Sequence, residues 1–173
     1  MRSKDLNNLL NLIHVMDKVD QKILSLLQKN DKISYNKLAK YLNLAASTVH
    51  NRVKNMEKKG IIKQYSAIIN PDKVGYNARA LLGITVNPEK MKDIAQKLAT
   101  YEEVQLVAVS TGDHDIVVQI IAENEKTLWR FINTKIKSID GIKSRMDVSS
   151  FIDVYKNTHI VGFDHNDIYL LES

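Results

Sequence analysis

Between Ser34 and Gly60 the apolar positions of this chain fall into two short helical stripes separated by a turn. Leu38, Ala39 and Leu42 share one side of the first, and Val49, Val53 and Met56 recur at i, i+4, i+7 along the second. Asn43 tolerates the left-handed backbone that a sharp turn needs, and Leu44 plugs the angle between the helices. Upstream, Val19, Ile23, Leu26 and Leu27 form the core face of a helix over residues 17–29, with Asp17 and Asp20 in its first turn, where carboxylates suit the helix dipole. Ser34 suits the N-cap of the second helix, and Gly60, after Lys58 and Lys59, the end of the third. Residues 61–69 alternate and are rich in β-branched and aromatic side chains, which predicts a strand or a two-stranded wing. Asn70-Pro71-Asp72 and then Gly75 mark turns and a domain boundary.

Beyond the boundary the pattern changes to strand and helix units. Strands are predicted over 78–86, 104–110, 116–122 and 144–155, with helices opened by Pro88 and carried on residues 127–139 by Leu128, Phe131, Ile132 and Ile136. Gly141 ends the second of these helices. The order βαββαβ is a ferredoxin-like split βαβ: an antiparallel sheet with both helices on one face. Val107, Val109, Val117 and Ile121 would keep much of the other face apolar, and such a face asks for a second copy of the chain. The expected fold class is therefore α+β, a winged-type helix-turn-helix domain followed by a ferredoxin-like domain. Its layout is an extension (1–16), the helix-turn-helix (17–60), a strand and linker (61–75), the second domain (76–161) and a tail (162–173). Leu6, Leu9, Leu10 and Ile13 follow helical spacing in the extension. Two readings of it stay open: an amphipathic helix, or residues preceding a start at Met16.

Charge sharpens the picture. Residues 17–70 carry 11 Lys or Arg against 4 Asp or Glu, whereas residues 71–173 carry 12 against 15. The surplus sits on the helix-turn-helix, as a phosphate-binding module needs. The outward face of its second helix presents Ser47, Thr48, His50, Asn51, Lys54 and Lys58, small polar groups first and cations after, in the manner of a helix lying in a DNA major groove. Ser47, Thr48, His50 and Asn51 are the candidates for base edges, and Asn51 could pair bidentately with adenine. Arg52 and Lys54 are expected at phosphates, flanked by Lys37, Lys40 and Lys63. Lys37 stands where a capping box would want Glu.

Other chemistry is thin. With 44% hydrophobic residues the chain can build real cores, and with no Cys it can hold neither disulfides nor thiolate metal sites. No apolar run approaches membrane-spanning length and no secretory cleavage site is evident, so a cytoplasmic protein without a membrane partner is expected. Five scattered His residues show no metal-ligand spacing; Asp164, His165 and Asp167 come nearest, and neither a metal nor a cofactor is expected. Nothing resembles a nucleophile elbow or a P-loop, so an enzyme is not expected.

From Met16 to about Val161 the chain resembles the Lrp/AsnC family of transcriptional regulators, also called feast/famine regulatory proteins. The matching pieces are MDKVDQKILSLLQ, the STVHNRV core of the helix-turn-helix, GIIKQYSAIINPDKVGY, and the TGDHD loop with the hydrophobic strand after it. The resemblance implies a C-terminal effector-binding and oligomerisation domain of the RAM type, homodimers that assemble into tetramers or octamers, pseudopalindromic operators in double-stranded DNA, and a small amino-acid effector. The loop Thr111, Gly112, Asp113, His114 and Asp115 is then the effector-binding candidate: Gly112 permits a tight turn with N–H groups facing a carboxylate, and Asp113 or Asp115 could accept an ammonium group. The competing reading is a hairpin turn whose Asp residues satisfy local amides. Two other functions compete with the whole assignment: an architectural DNA protein without an effector, and a stand-alone amino-acid-sensing regulatory protein. The chain also departs from the family pattern. Ala45 stands where Ser is frequent, removing an N-cap unless Ser47 caps a shorter helix, while His114 replaces Tyr and Arg145 and Asp147 replace Thr.

Overall fold

Every helix of the N-terminal region starts or stops where a residue can satisfy, or visibly fails to satisfy, the free backbone groups at its end. The computed structural model describes residues 16–163, which divide into two units, 16–67 with 158–163 and 68–157. The first unit holds α1 (Lys18–Lys29), α2 (Tyr35–Leu42) and α3 (Ala46–Lys58). Asp17 caps α1, accepting from the Asp20 amide at 2.8 Å, and Ser34 caps α2, accepting from the Lys37 amide at 3.2 Å. Asn43 takes the left-handed conformation (φ 53°, ψ 49°), and the Leu44 amide donates back to the Ala39 carbonyl at 2.9 Å. Gly60, at φ 68°, closes α3 in the same way, with the Ile61 amide donating to the Met56 carbonyl. Ala45 has N-cap geometry (φ −73°, ψ 143°) but gives no side-chain bond, and Ser47 lies inside the helix rather than capping it.

Ile23, Leu26, Leu27, Leu38, Val49, Val53 and Met56 form the buried centre of this unit, with Leu44 and Ile62 packed at its margin. Residues 158–163 also belong to this unit. The Gln28 side-chain amide donates to the Val161 carbonyl at 3.1 Å while its oxygen accepts the Val161 amide at 2.8 Å, and Phe163 packs against the core. One expectation fails. Residues 61–69 form no strand; the alternation is there, but among the described residues no second strand pairs with it, and Ile68 is 91% exposed. The amphipathic helix expected over residues 1–15, and the tail residues Asp164, His165 and Asp167, lie outside the described residues.

The second unit has the expected βαββαβ order: β1 (Ala78–Val86), α4 (Met91–Leu98), β2 (Val104–Val109), β3 (Ile116–Ala122), α5 (Glu125–Phe131, continued by a π-helical turn over Ile132–Ile136) and β4 (Ile142–Ser150). All pairs are antiparallel in the order β2-β3-β1-β4. Pro88 opens a 3₁₀ turn ahead of α4, and Asn124 caps α5, a start two residues earlier than expected. Ala80, Leu82, Ile84, Ile116, Val118 and Ile120 turn inward against Ile94, Leu98, Leu128, Phe131, Ile132 and Ile136. The opposite face carries Leu81, Leu106 (47% exposed), Val117 and Ile121. Val107 and Val109, expected on that open face, pair instead with Val118 and Ile116 and so lie on the helix side. A register shift between Val104 and Leu106 inserts one residue, and a one-residue slip exchanges the two faces.

The uncapped α3 gives a direct test. Ala45→Ser supplies the missing acceptor at a residue that already has N-cap geometry, and should stabilise the protein by about 0.5–2 kcal/mol in urea denaturation.

Candidate nucleic-acid interface and charged cavity

Helix α3 is two-sided. Val49, Val53 and Met56 are buried, and the opposite side exposes Ser47, Thr48, Asn51, Lys54, Asn55 and Lys58. Lys40 and Lys63 are exposed, as is Lys37, whose ammonium lies 5.8 Å from the centre of the Tyr41 ring. These positions combine hydrogen-bonding side chains on one helix with cations on the same unit, which is what groove and phosphate contacts require. Two of the expected contact residues are placed otherwise. His50 is half-buried and packs edge-on against Tyr35, with ring centres 5.3 Å apart. The Arg52 guanidinium donates to Asp17 at 2.6 Å and Asp20 at 2.8 Å. It ties the recognition helix to the first turn of α1. The Asp17 carboxyl is held below its ordinary range, first by the Asp20 amide it caps and then by Arg52, while the two carboxylates raise the Arg52 guanidinium further.

In the second unit, a cavity of about 340 Å³ is lined by Thr85, Asp113, His114, Arg145 and Asp147. Thr85 comes from β1, Arg145 and Asp147 from alternate positions of β4, and the other two from the loop between β2 and β3. Antiparallel register sets Gly83 opposite Asp147. The missing side chain of Gly83 is filled by the His114 ring, whose Cδ2 lies only 2.2 Å from where a Cβ would sit. From there His114 Nε2 reaches to 3.4 Å from the Asp147 carboxylate. Only Asp113 and His114 of the five loop residues expected at a ligand line this space. Asp115 turns to β1, where its carboxylate accepts the Val86 amide at 2.8 Å, and its backbone bonds with Ile84 and Ser110. The Asp115 side chain thus ties the loop to β1 instead of facing the cavity. Thr111 and Gly112 shape the turn, with Gly112 at φ 123°.

Both units match known protein families. Residues 16–63 match the winged helix-turn-helix DNA-binding family, and residues 81–164 match an AsnC-type C-terminal dimeric alpha+beta barrel domain. An HTH-type transcriptional regulator of Pyrococcus furiosus is 40% identical over 130 residues, covering 75% of this chain and 88% of the relative. The regulator LrpA of Pyrococcus abyssi is 38% identical over 128 residues, covering 74% and 91%. The chain belongs to the Lrp/AsnC family of transcriptional regulators. Its fold is that of E. coli AsnC, with a TM-score of 0.78 at 26% identity over 84% of this chain and 97% of the other. A Neisseria meningitidis transcriptional regulator solved as an L-Met complex is equally similar, with a TM-score of 0.80 at 25% identity over 87% and 98%.

Membership in the Lrp/AsnC family makes this a DNA-binding regulator and not an enzyme, with its helix-turn-helix on α2 and α3. No helix among the described residues is long and apolar enough to cross a membrane. What the sequence pattern did not reveal is the gathering of Thr85, Arg145 and Asp147 with the loop. The departure from Thr at the last two positions was the available signal, but their convergence depends on strand register.

The Arg52 clamp can be tested away from DNA. The guanidinium side chain is 32% exposed, so solvent screening limits its worth, and Arg52→Met should cost about 0.5–1 kcal/mol in urea denaturation. Because the Asp17 pKa is depressed in the folded state, its contribution is complete above about pH 4 and is lost as pH falls through the folded value. The wild type's advantage over Arg52→Met should therefore shrink on acidification through that window and be flat from pH 5 to 8.

Proposed function

We propose that this Lrp/AsnC regulator binds a pseudopalindromic operator in a sequence-specific way as a homodimer or higher oligomer, and that a small amino acid bound at the charged cavity modulates it. The observation that carries the proposal is the exposed polar and cationic face of α3 held on an apolar back. In this reading Ser47, Thr48 and Asn51 reach base edges, with the exposed edge of His50 beside them. Lys37, Lys40, Lys54 and Lys63 meet phosphates. Two α3 helices then enter successive major grooves about 34–36 Å apart or a multiple of that. Dimerisation is supported by the open sheet face, where Leu81, Leu106 and Val117 would be costly to leave in water. An amino-acid effector is supported by the similarity to a regulator solved with L-Met and by the polar groups that line the cavity.

Gel-shift titration of a site selected from a randomised DNA pool against random DNA tests specificity. Asn51→Ala should forfeit about 1–3 kcal/mol of discrimination at one base pair, while Lys54→Ala should weaken all sequences alike and reduce the salt slope by about 1. Equal loss on every sequence for Asn51→Ala would remove it from base reading. Indifference of the wild type to sequence would favour an architectural protein.

The assembly is tested separately. Leu106→Glu places a charge on the open sheet face without touching the helix-side core, so light scattering should show a shift from dimer or larger species to monomer. An unchanged mass would place the interface elsewhere.

A further inference from the structure

The ionic composition of the cavity points to the kind of amino acid it takes. All five lining side chains are polar or charged, and none is aliphatic or aromatic in the way a pocket for a leucine or methionine side chain would be. Asp113 and Asp147 bring two carboxylates, Arg145 brings one guanidinium, and Thr85 and His114 add hydrogen-bonding groups. Within the subunit Arg145 and Asp113 have no hydrogen-bond or ion-pair partner among the described residues, although they share one cavity. Asp147 meets only the His114 ring, at 3.4 Å. At that separation the imidazole leaves room on the Asp147 carboxylate, which can accept several hydrogen bonds, for a closer cationic partner.

A zwitterionic neutral amino acid would neutralise Arg145 with its carboxylate and one Asp with its ammonium, and would leave the second Asp without a cationic partner. An acidic amino acid would do worse, because its second carboxylate would face that Asp. A molecule with one carboxylate and two cationic ends satisfies all three charges. We infer that the effector of this regulator is a basic amino acid, an L-lysine, L-ornithine or L-arginine type ligand. Its α-carboxylate pairs with Arg145, and its two cationic ends pair with Asp113 and Asp147. The volume of about 340 Å³ is at the small end for ligand sites, which fits a single amino acid. Gly83 contributes by its lack of a side chain, since a Cβ there would collide with the His114 ring that lines the cavity. This inference rests on the proposal that the cavity is the effector site.

Calorimetric titration of the full chain with each of the twenty amino acids plus L-ornithine tests both, and the outcomes separate. The expected result is that one or more basic amino acids bind at least tenfold more tightly than leucine, methionine or glutamate. Asp147→Asn, which keeps the shape of an exposed side chain and removes its charge, should then weaken the basic ligand roughly tenfold or more, in line with the loss of a charge-assisted hydrogen bond. It should leave weak binding of neutral amino acids unchanged or improved. Arg145→Gln should weaken every amino acid alike, because all share the α-carboxylate. Tighter binding of a neutral or acidic amino acid, abolished by Arg145→Gln, would overturn the basic class and keep the effector site. Binding of a basic amino acid unaffected by either substitution would overturn the site. Absence of binding by any of them would overturn both.

Discussion

A helix that reads DNA with one face must be held firmly by the other, and the interlock behind α3 is what the rest of the first unit depends on. Val49, Val53 and Met56 meet Ile23, Leu27 and Leu38 in a buried seam. A fully buried aliphatic side chain of this size contributes about 1.5–3 kcal/mol, whereas each exposed ion pair contributes less than about 1 kcal/mol. The seam therefore provides the strength, and polar contacts provide orientation. Asn43 sets the angle by its left-handed backbone, Leu44 fills it, and the Arg52 pairs fix the roll of α3 against the start of α1. Arg52 thus joins α3 to the start of α1.

The sheet applies the same division of labour with a period of two. Its inward positions close on α4 and α5, and its outward positions mix an apolar patch with the charged cavity. Side chains two apart on a strand share a face at a spacing of roughly 6–7 Å, which is how Arg145 and Asp147 enter one cavity. Asp115 binds the loop to the Val86 amide, so the loop's two cavity residues, Asp113 and His114, are presented from a fixed base.

Local signals in the sequence carried most of the fold. Ser34, Asn43, Ala45 and Gly60 act within four residues of themselves, and their roles were legible there. What escaped was decided at long range. The Arg52 partners lie 32 and 35 residues away, and nothing in the α3 pattern marks them; the only trace is the i, i+3 spacing of Asp17 and Asp20. Val107 changed faces because one extra residue entered β2, an event that alternation alone does not reveal. Residues 61–69 alternate as a strand does, but a ladder needs a partner. For the cavity, the loop motif indicated the neighbourhood, while its charged members on β4 came into place only through the β1–β4 register.

The return of residues 158–163 to the first unit bears on how this protein is made. Because Gln28 holds Val161, and Phe163 packs on the helix-turn-helix core, the DNA-binding unit is assembled from two pieces of chain with residues 68–157 between them. A ribosome releases the three helices first and the closing segment only after the whole intervening domain. The helix-turn-helix thus spends the interval without its last contacts, and reaches its finished form only once the second domain has been synthesised. A nascent chain stalled between those points would carry a reading head that is folded in outline and not yet fastened.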